Sequence, residues 1–421
     1  MEQDELFERL WSGAAPMEDW TAAVKGGVAK TIADNIVAIH TSYFFGNVTA
    51  IRTSEGIVLV DSGSRETASQ TLAVLRRWSE SPIHTVIYTH GHIDHTWGAR
   101  LIDQEADARG VPRPRIIAHR NVLYRFDRYD ATHRLNSIVM GRQFNEPAYV
   151  FPDGHRRPDE VYDDTKTLMI GGVRIELTHG RGETDDQTFI WLPEQRVLAS
   201  GDFVIWVFPN AGNPRKVQRY APEWAETLRR MQALKPEILI PGHGPAVSGE
   251  ARVTQLFGDG AEALESLTRQ ALEVMNRGGT LDDLLHSVAA PTELLKKPWL
   301  LPKYDDPEFV ARGVWHLYAG WFDGNPAHLK PASTSELAAE ISALVGGAEK
   351  LAARAAELAK EGRTRLAAHL VEFASAASPQ DGAIQSARAN VYASCAAAET
   401  SLIGKAIFNV YQREAKGRSG S

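Results

Sequence analysis

Thr89-His90-Gly91-His92-Ile93-Asp94-His95 is the stretch from which the rest of the chain can be read. It follows His84-Thr-Val-Ile-Tyr-Thr, a β-branched run that predicts a buried strand, so the histidines fall on a strand-end loop. Two histidines one residue apart, then Asp-His, bring three imidazoles and a carboxylate together. Side by side and unpartnered, such groups repel or lose hydration at a cost that a divalent cation removes. A surface loop that gathered histidines by chance is the bland alternative, and the downstream sequence argues against it.

Acidic and histidine residues recur at the ends of further predicted strands. Asp61-Ser62-Gly63 follows the run Ile57 to Val60, and Gly182-Glu183-Thr184-Asp185-Asp186 precedes Thr188-Phe-Ile-Trp-Leu. Ser200-Gly201-Asp202-Phe203 follows Arg196-Val-Leu-Ala, and Pro241-Gly242-His243-Gly244-Pro245 follows Ile238-Leu-Ile. Other strands are expected at Asn35–His40, Asn47–Arg52, Gly56–Asp61, Arg115–Ala118 and Val173–Leu177, with helices at Thr67–Ser79 and Glu223–Leu234. This alternation predicts an α/β layered domain. After about residue 250 the strands stop. From Thr334 to Ala415 the chain is rich in Ala, Leu and Glu at helical spacing, broken at Gly346-Gly, Glu361-Gly, Ser378-Pro-Gln-Asp-Gly and Gly404, which predicts at least four packed antiparallel helices.

The 421 residues carry 53 acidic and 46 basic side chains, a net charge of −7, which argues against a nucleic-acid surface. Hydrophobic residues at 43% and charged residues at 24% fit a globular chain. The single cysteine, Cys395, cannot form an internal disulfide. The start lacks a basic segment followed by an apolar one, and no stretch is long and apolar enough to span a bilayer, so the expected location is the cytoplasm, with no membrane partner.

The ordered set of motifs resembles the metallo-β-lactamase superfamily, with its HxHxDH loop, a third ligand, a bridging Asp and a late His. The resemblance implies an αββα sandwich with a two-metal site at one edge. On it, His90 and His92 would hold the first metal, Asp94, His95 and His243 the second, and Asp202 would bridge. Either Glu183 or His179 would complete the first site; the spacing of Glu183 to the following strand favours Glu183. Asp186 is a candidate acceptor orienting a ligand imidazole. Asp94 would also orient the metal-bound water. Imidazole and carboxylate ligands suit two Zn²⁺ per subunit, while iron and manganese are also admitted. Two metals about 3.5–4 Å apart activate a water and clamp the attacking and leaving oxygens, so hydrolysis is the expected reaction.

A second resemblance narrows the family. Tyr304-Asp-Asp-Pro-Glu, Arg312-Gly-Val-Trp and Gly320-Trp-Phe-Asp-Gly-Asn-Pro-Ala-His-Leu are similar to the start of the dimerisation domain of zinc-dependent alkyl sulfatases, as are Ala348-Glu-Lys-Leu-Ala-Ala-Arg-Ala and Leu366-Ala-Ala-His-Leu after it. Members of that family also place a Glu at the position of Glu183. The implied organisation is a catalytic domain over 1–255, with 1–30 as an N-terminal extension, a helical connector over 256–300, a helical dimerisation domain over 301–415 and a tail at 416–421. The implied function is a homodimeric binuclear zinc hydrolase that cleaves alkyl sulfate esters with a metal-bound hydroxide. An anionic ester needs cationic anchors, and Arg215, Arg219 and Arg142 are the candidates.

Several positions depart from that family. Asp202 in Gly-Asp-Phe stands where alkyl sulfatases carry a Glu in Ala-Glu-Asn. Gly242-His243-Gly244-Pro245 is closer to the wider superfamily, and Phe144-Asn-Glu-Pro-Ala-Tyr149 replaces a Tyr-Gly segment. The sterol-carrier-like domain that often ends these enzymes has no counterpart, which favours a shorter or different substrate. The alternatives are the same machinery acting on a lactone, β-lactam, carboxylic ester or phosphoester, a di-iron redox protein, and a metal-free dimer serving as an interaction module.

Overall fold

The computed structural model describes residues 3–419. Thirteen strands form two sheets. The first runs in chain order: β1 (Val28–Ala33), β2 (Ile36–His40), β3 (Val48–Thr53), β4 (Gly56–Val60), β5 (Ile83–Ile87), β6 (Arg115–His119) and β7 (Glu160–Tyr162). Strands β1 to β4 pair antiparallel, and β4 to β7 pair parallel through helical crossovers. The second sheet has β8 (Thr165–Ile170), β9 (Val173–His179), β10 (Thr188–Leu192), β11 (Val197–Gly201), β12 (Ile238–Pro241) and β13 (Val247–Ser248), again in sequential order. Only β11 and β12 are parallel in it, because the helix Ala221–Ala233 connects them.

Continuous burial of β2, β4, β10 and β11 follows from having a layer on both faces. Between the sheets lie Ile36, Val58, Val60, Ile117, Leu177, Ile190 and Ile240. Val37, Ile39, Leu59 and Val86 point the other way, onto Val74, Ile102 and Phe126 of the first helical layer. On the opposite side Trp191, Leu198 and Leu239 meet Trp224, Leu228, Phe257 and Leu264 of the helices Ala221–Ala233 and Glu250–Asn276. Period-two alternation thus sends each strand's side chains into two cores, and the result is the expected αββα sandwich.

The helical part opens with Pro307–Ala319 and continues through Thr334–Val345, Ala348–Lys360, Thr364–Ala377, Gly382–Ala398 and Leu402–Ser419. Their starts are chemically marked: Ser333 and Glu336 form a capping box, and Asp381 accepts from Ala383 and Ile384 N–H. Ala355, Leu358, Ala367, Val371 and Val391 form its main core.

Three features depart from the expected element boundaries. Position 255 lies within the helix Glu250–Asn276, whose apolar stripe is continuous along 27 residues, so sheet cover and connector are one element. In the N-terminal segment, β1 is an edge strand with no fully buried residue, which gives it a weak apolar signal, and Trp11 stacks on Trp299 with ring centroids 4.1 Å apart. Lys416–Ser419 continue the last helix; residues 420–421 lie outside the described residues. No helix among the described residues is long and apolar enough to cross a membrane.

The β4 turn and the histidine loop are stitched together. Ser62 N–H donates to the His95 carbonyl at 2.8 Å, and Gly98 N–H donates to the Gly63 carbonyl at 2.9 Å. A Cβ at Gly98 would lie 1.9 Å from the Ser62 carbonyl oxygen, so the backbones must separate to admit one. Gly98→Ala is expected to cost about 1–3 kcal/mol, read as a lowered midpoint in thermal unfolding followed by circular dichroism.

Candidate metal centre and its cavity

The end of β5 and the short helix Ile93–Thr96 deliver the histidine loop to the mouth of the sandwich, where the loops after β9, β11 and β12 converge. Two groups of side chains lie close enough to share an ion: His90, His92, Glu183 and Asp202, and Asp94, His95 and His243. Asp202 stands between them. Its Oδ2 faces His90 Nε2 at 3.7 Å, and its Oδ1 faces His95 Nε2 at 3.2 Å and His243 Nε2 at 3.4 Å. Glu183 Oε2 is 3.4 Å from His92 Nδ1 and 4.0 Å from His90 Nε2, and Asp94 Oδ2 lies 3.4–3.5 Å from His243 and His95.

The imidazoles are aimed by acceptors behind them. His95 Nδ1 hydrogen bonds Asp61 Oδ2 at 2.7 Å, and His243 Nδ1 meets the Tyr43 carbonyl at 2.9 Å; each leaves Nε2 for the site. Asp61 takes a left-handed backbone with φ of 62° and also accepts from Thr89 N–H and Oγ1. Asp186 receives Gly91 N–H at 3.0 Å and the Arg125 guanidinium at 2.7 Å. It therefore anchors the loop backbone rather than an imidazole, because Arg125 fills the space beside it.

His95 Nε2, Glu183 Oε2 and Asp202 Oδ1 are buried without a hydrogen-bond partner. Leaving such atoms unsatisfied costs ~1–3 kcal/mol each, and all three point into the space between the two groups. Burial would raise the Glu183 carboxyl, yet the Arg219 guanidinium and His92 bring it down to about 2. Burial works against the His243 cation, but Asp202 and Asp94 raise it to about 10. Four imidazoles and three carboxylates without enough fixed cations fit divalent metal.

The expected anchors fall differently. His179 is outside both groups: it stacks on His119 at 3.7 Å and bonds the Gln187 carbonyl through Nδ1. Arg219 is buried in an ion pair with Glu183. Arg142 pairs with Glu414 at 2.9 Å; it and Arg219 line the cavity beside the centre, whereas Arg215, half-buried near Arg142 and Glu414, does not.

Beside the centre opens a cavity of about 710 Å³. Lys216 lines it, its Nζ contacting Met140 Sδ at 3.4 Å and no carboxylate among the described residues. Burial and Arg219 lower the Lys216 ammonium to about 8. Asn213 Nδ2 is buried there without a partner. Tyr304 Oη accepts from Gln143 Nε2 at 3.0 Å and keeps its own proton to donate. These donors lie in an irregular loop and a distant segment, so no periodicity or spacing marks them. Phe44, Phe45, Phe144, Tyr149 and Phe151 supply the apolar wall, and Lys405 and Asn409 of the last helix close it.

Residues 42–243 match the family model described as Metallo-beta-lactamase superfamily, and residues 280–418 match Alkyl sulfatase dimerisation. The chain is 28% identical over 349 residues to a linear primary-alkylsulfatase of Pseudomonas sp., covering 77% of this chain and 65% of that protein. It is 26% identical over 365 residues to the alkyl/aryl-sulfatase BDS1 of Saccharomyces cerevisiae, covering 81% and 56%. The chain thus spans less than two thirds of the length of these relatives. Its fold is similar to that of the stereoselective inverting sec-alkylsulfatase Pisa1 from Pseudomonas sp., with a TM-score of 0.78 at 22% identity over 93% of this chain and 66% of that one.

Because one Asp202 oxygen faces each group, Asp202→Ala is expected to lower metal uptake below that of the wild type. Elemental analysis after reconstitution and dialysis reads the stoichiometry, with circular dichroism confirming the fold.

Proposed function

We propose that the chain, whose residues 42–243 match the metallo-beta-lactamase superfamily and whose residues 280–418 match alkyl sulfatase dimerisation, is a binuclear zinc hydrolase of sulfate esters of apolar alcohols. The observation that carries the reading is Asp202, with one oxygen toward each ligand group, beside a cavity that has uncommitted donors at one end and aromatic rings along its wall. His90, His92 and Glu183 would hold one zinc, and Asp94, His95 and His243 the other, with Asp202 shared. Zinc bound there would supply an activated water and neutralise charge developing on the ester oxygens.

The protein's own residues handle the rest. Lys216, Asn213 and Tyr304 donate to the sulfate oxygens, Lys216 through an ammonium that pairs with no carboxylate among the described residues. Phe44, Phe144 and Tyr149 pack the alcohol portion and exclude water from it. Asp61 and the Tyr43 carbonyl hold the tautomers of His95 and His243, so that both rings keep a nitrogen toward the centre. Homodimerisation is proposed through the helical part, where Tyr318, Trp321, Leu329 and Leu344 are exposed.

Zinc-loaded protein is expected to release sulfate from primary and secondary alkyl sulfates, to stop when treated with a chelator and to recover with zinc. Turnover of a lactone, carboxylic ester or phosphoester control without sulfate release would retire the sulfate assignment. A cationic Lys216 is present below its pKa of about 8 and is lost as pH rises through it. KM for an alkyl sulfate should therefore climb above pH 8 in the wild type. Lys216→Arg should remove that alkaline limb, and Lys216→Met should raise KM by roughly tenfold or more at pH 7.

A further inference from the structure

Tyr304-Asp305-Asp306 is the motif whose role is least absorbed by the site itself. Tyr304 reaches the cavity, and Asp306 caps the helix Pro307–Ala319 by accepting from Glu308 N–H. Asp305, between them, is fully buried and makes contacts of another kind. Its Oδ2 accepts Gly212 N–H at 2.6 Å and its Oδ1 accepts Asp306 N–H at 2.9 Å. Burial pushes its carboxyl up to about 7 against these donors, so it is held there by its backbone partners and not by an ion pair.

Gly212 belongs to the loop that orients Glu183. Asn210 Nδ2 and Arg219 Nη1 both donate to Glu183 Oε1, and Arg219 Nη1 also donates to the Asn210 carbonyl at 2.7 Å. With Oε1 taken, Oε2 alone is turned toward His90 and His92. The loop itself lies flat on the helix Pro307–Ala319. A Cβ at Gly212 would sit 2.2 Å from Phe309 C and Val310 N, and Gln218 Nε2 donates to the Gly313 carbonyl at 3.1 Å. The loop that carries Asn210 and Arg219 therefore leans, at Gly212 and Gln218, on a segment 93 to 95 residues downstream.

We propose that Asp305 is a positioning residue for the first metal: it clamps the 210–213 loop so that Asn210 and Arg219 hold Glu183 by one oxygen and present the other as ligand. The inference rests on the two-metal reading above, and it makes the start of the helical part a component of the metal centre of its own chain. Partners that orient a ligand typically change metal affinity by ~10–100-fold when removed, and the loss should fall on one equivalent only, because His95 and His243 are aimed by Asp61 and the Tyr43 carbonyl.

The test is competition between full-length protein and a chromophoric chelator for zinc, with the visible spectrum of the cobalt-substituted protein beside it. Asp305→Ala is expected to weaken one of two zinc equivalents by tenfold or more, to leave the other unchanged and to alter the cobalt bands of one site. Gly212→Ala, which lifts the loop while keeping the carboxylate, should do the same. Asp306→Ala removes the helix cap alone and should lower thermal stability with both affinities intact. Wild-type affinities in Asp305→Ala and Gly212→Ala would overturn the inference while leaving the two-metal reading in place. Equal weakening of both equivalents in all three variants would assign Asp305 to general stability instead. A wild type that takes up no zinc would overturn the two-metal reading and the inference with it.

Discussion

The Asp202 carboxylate is the constraint on which the rest of the molecule depends. A buried carboxylate flanked by His90 on one side and by His95 and His243 on the other has to be matched in charge from both directions. That requirement brings the end of β11 to the same point as the histidine loop after β5 and the loop after β12. The parallel pair β11–β12 makes this possible, since both strands release their chains at the same edge of the sheet. The antiparallel strands contribute differently, by carrying the two cores that keep the edge rigid.

Around this carboxylate, orientation is inherited from outside the centre. Asp61 aims His95, a carbonyl aims His243, Arg125 and Asp186 hold the Gly91 backbone, and Asn210 with Arg219 turns Glu183. Each of these supporting groups is buried, where a hydrogen bond or ion pair is little screened by water. The helical part enters the same scheme twice. Asp305 supports the loop under Glu183, and the last helix, which pairs with the cavity rim through Arg142 and Glu414, faces the cavity. Sandwich and helices are in this sense joined at the site, which suits a chain in which a single helix, Glu250–Asn276, runs through the expected boundary.

Local signals were enough for an α/β layered domain, and the resemblance of the ordered motifs supplied the αββα sandwich and the seven residues gathered at the centre. A strand followed by HxHxDH, and carboxylates or a histidine at the ends of later strands, are short-range patterns with a direct chemical meaning. The anchors were read less well. Arg142, Arg215 and Arg219 were chosen because guanidinium suits an oxyanion, but charge type says nothing of what already neutralises a side chain. In the folded chain Arg219 is committed to Glu183 and Arg142 to Glu414, while Lys216, buried on the cavity wall, has no such partner among the described residues.

The sequence by itself thus determined the layered architecture and the change to helices after residue 250, because these rest on periodicity, and it pointed to the candidate ligands through the resemblance of its ordered motifs to the metallo-β-lactamase superfamily. Only the tertiary structure decided which oxygen of Asp202 serves which group, that Glu183 and not His179 turns inward, and that Asn213, Lys216 and Tyr304 share one wall. Those outcomes depend on competition among side chains tens to hundreds of residues apart for the same few ångströms of buried space, and that competition is settled by packing.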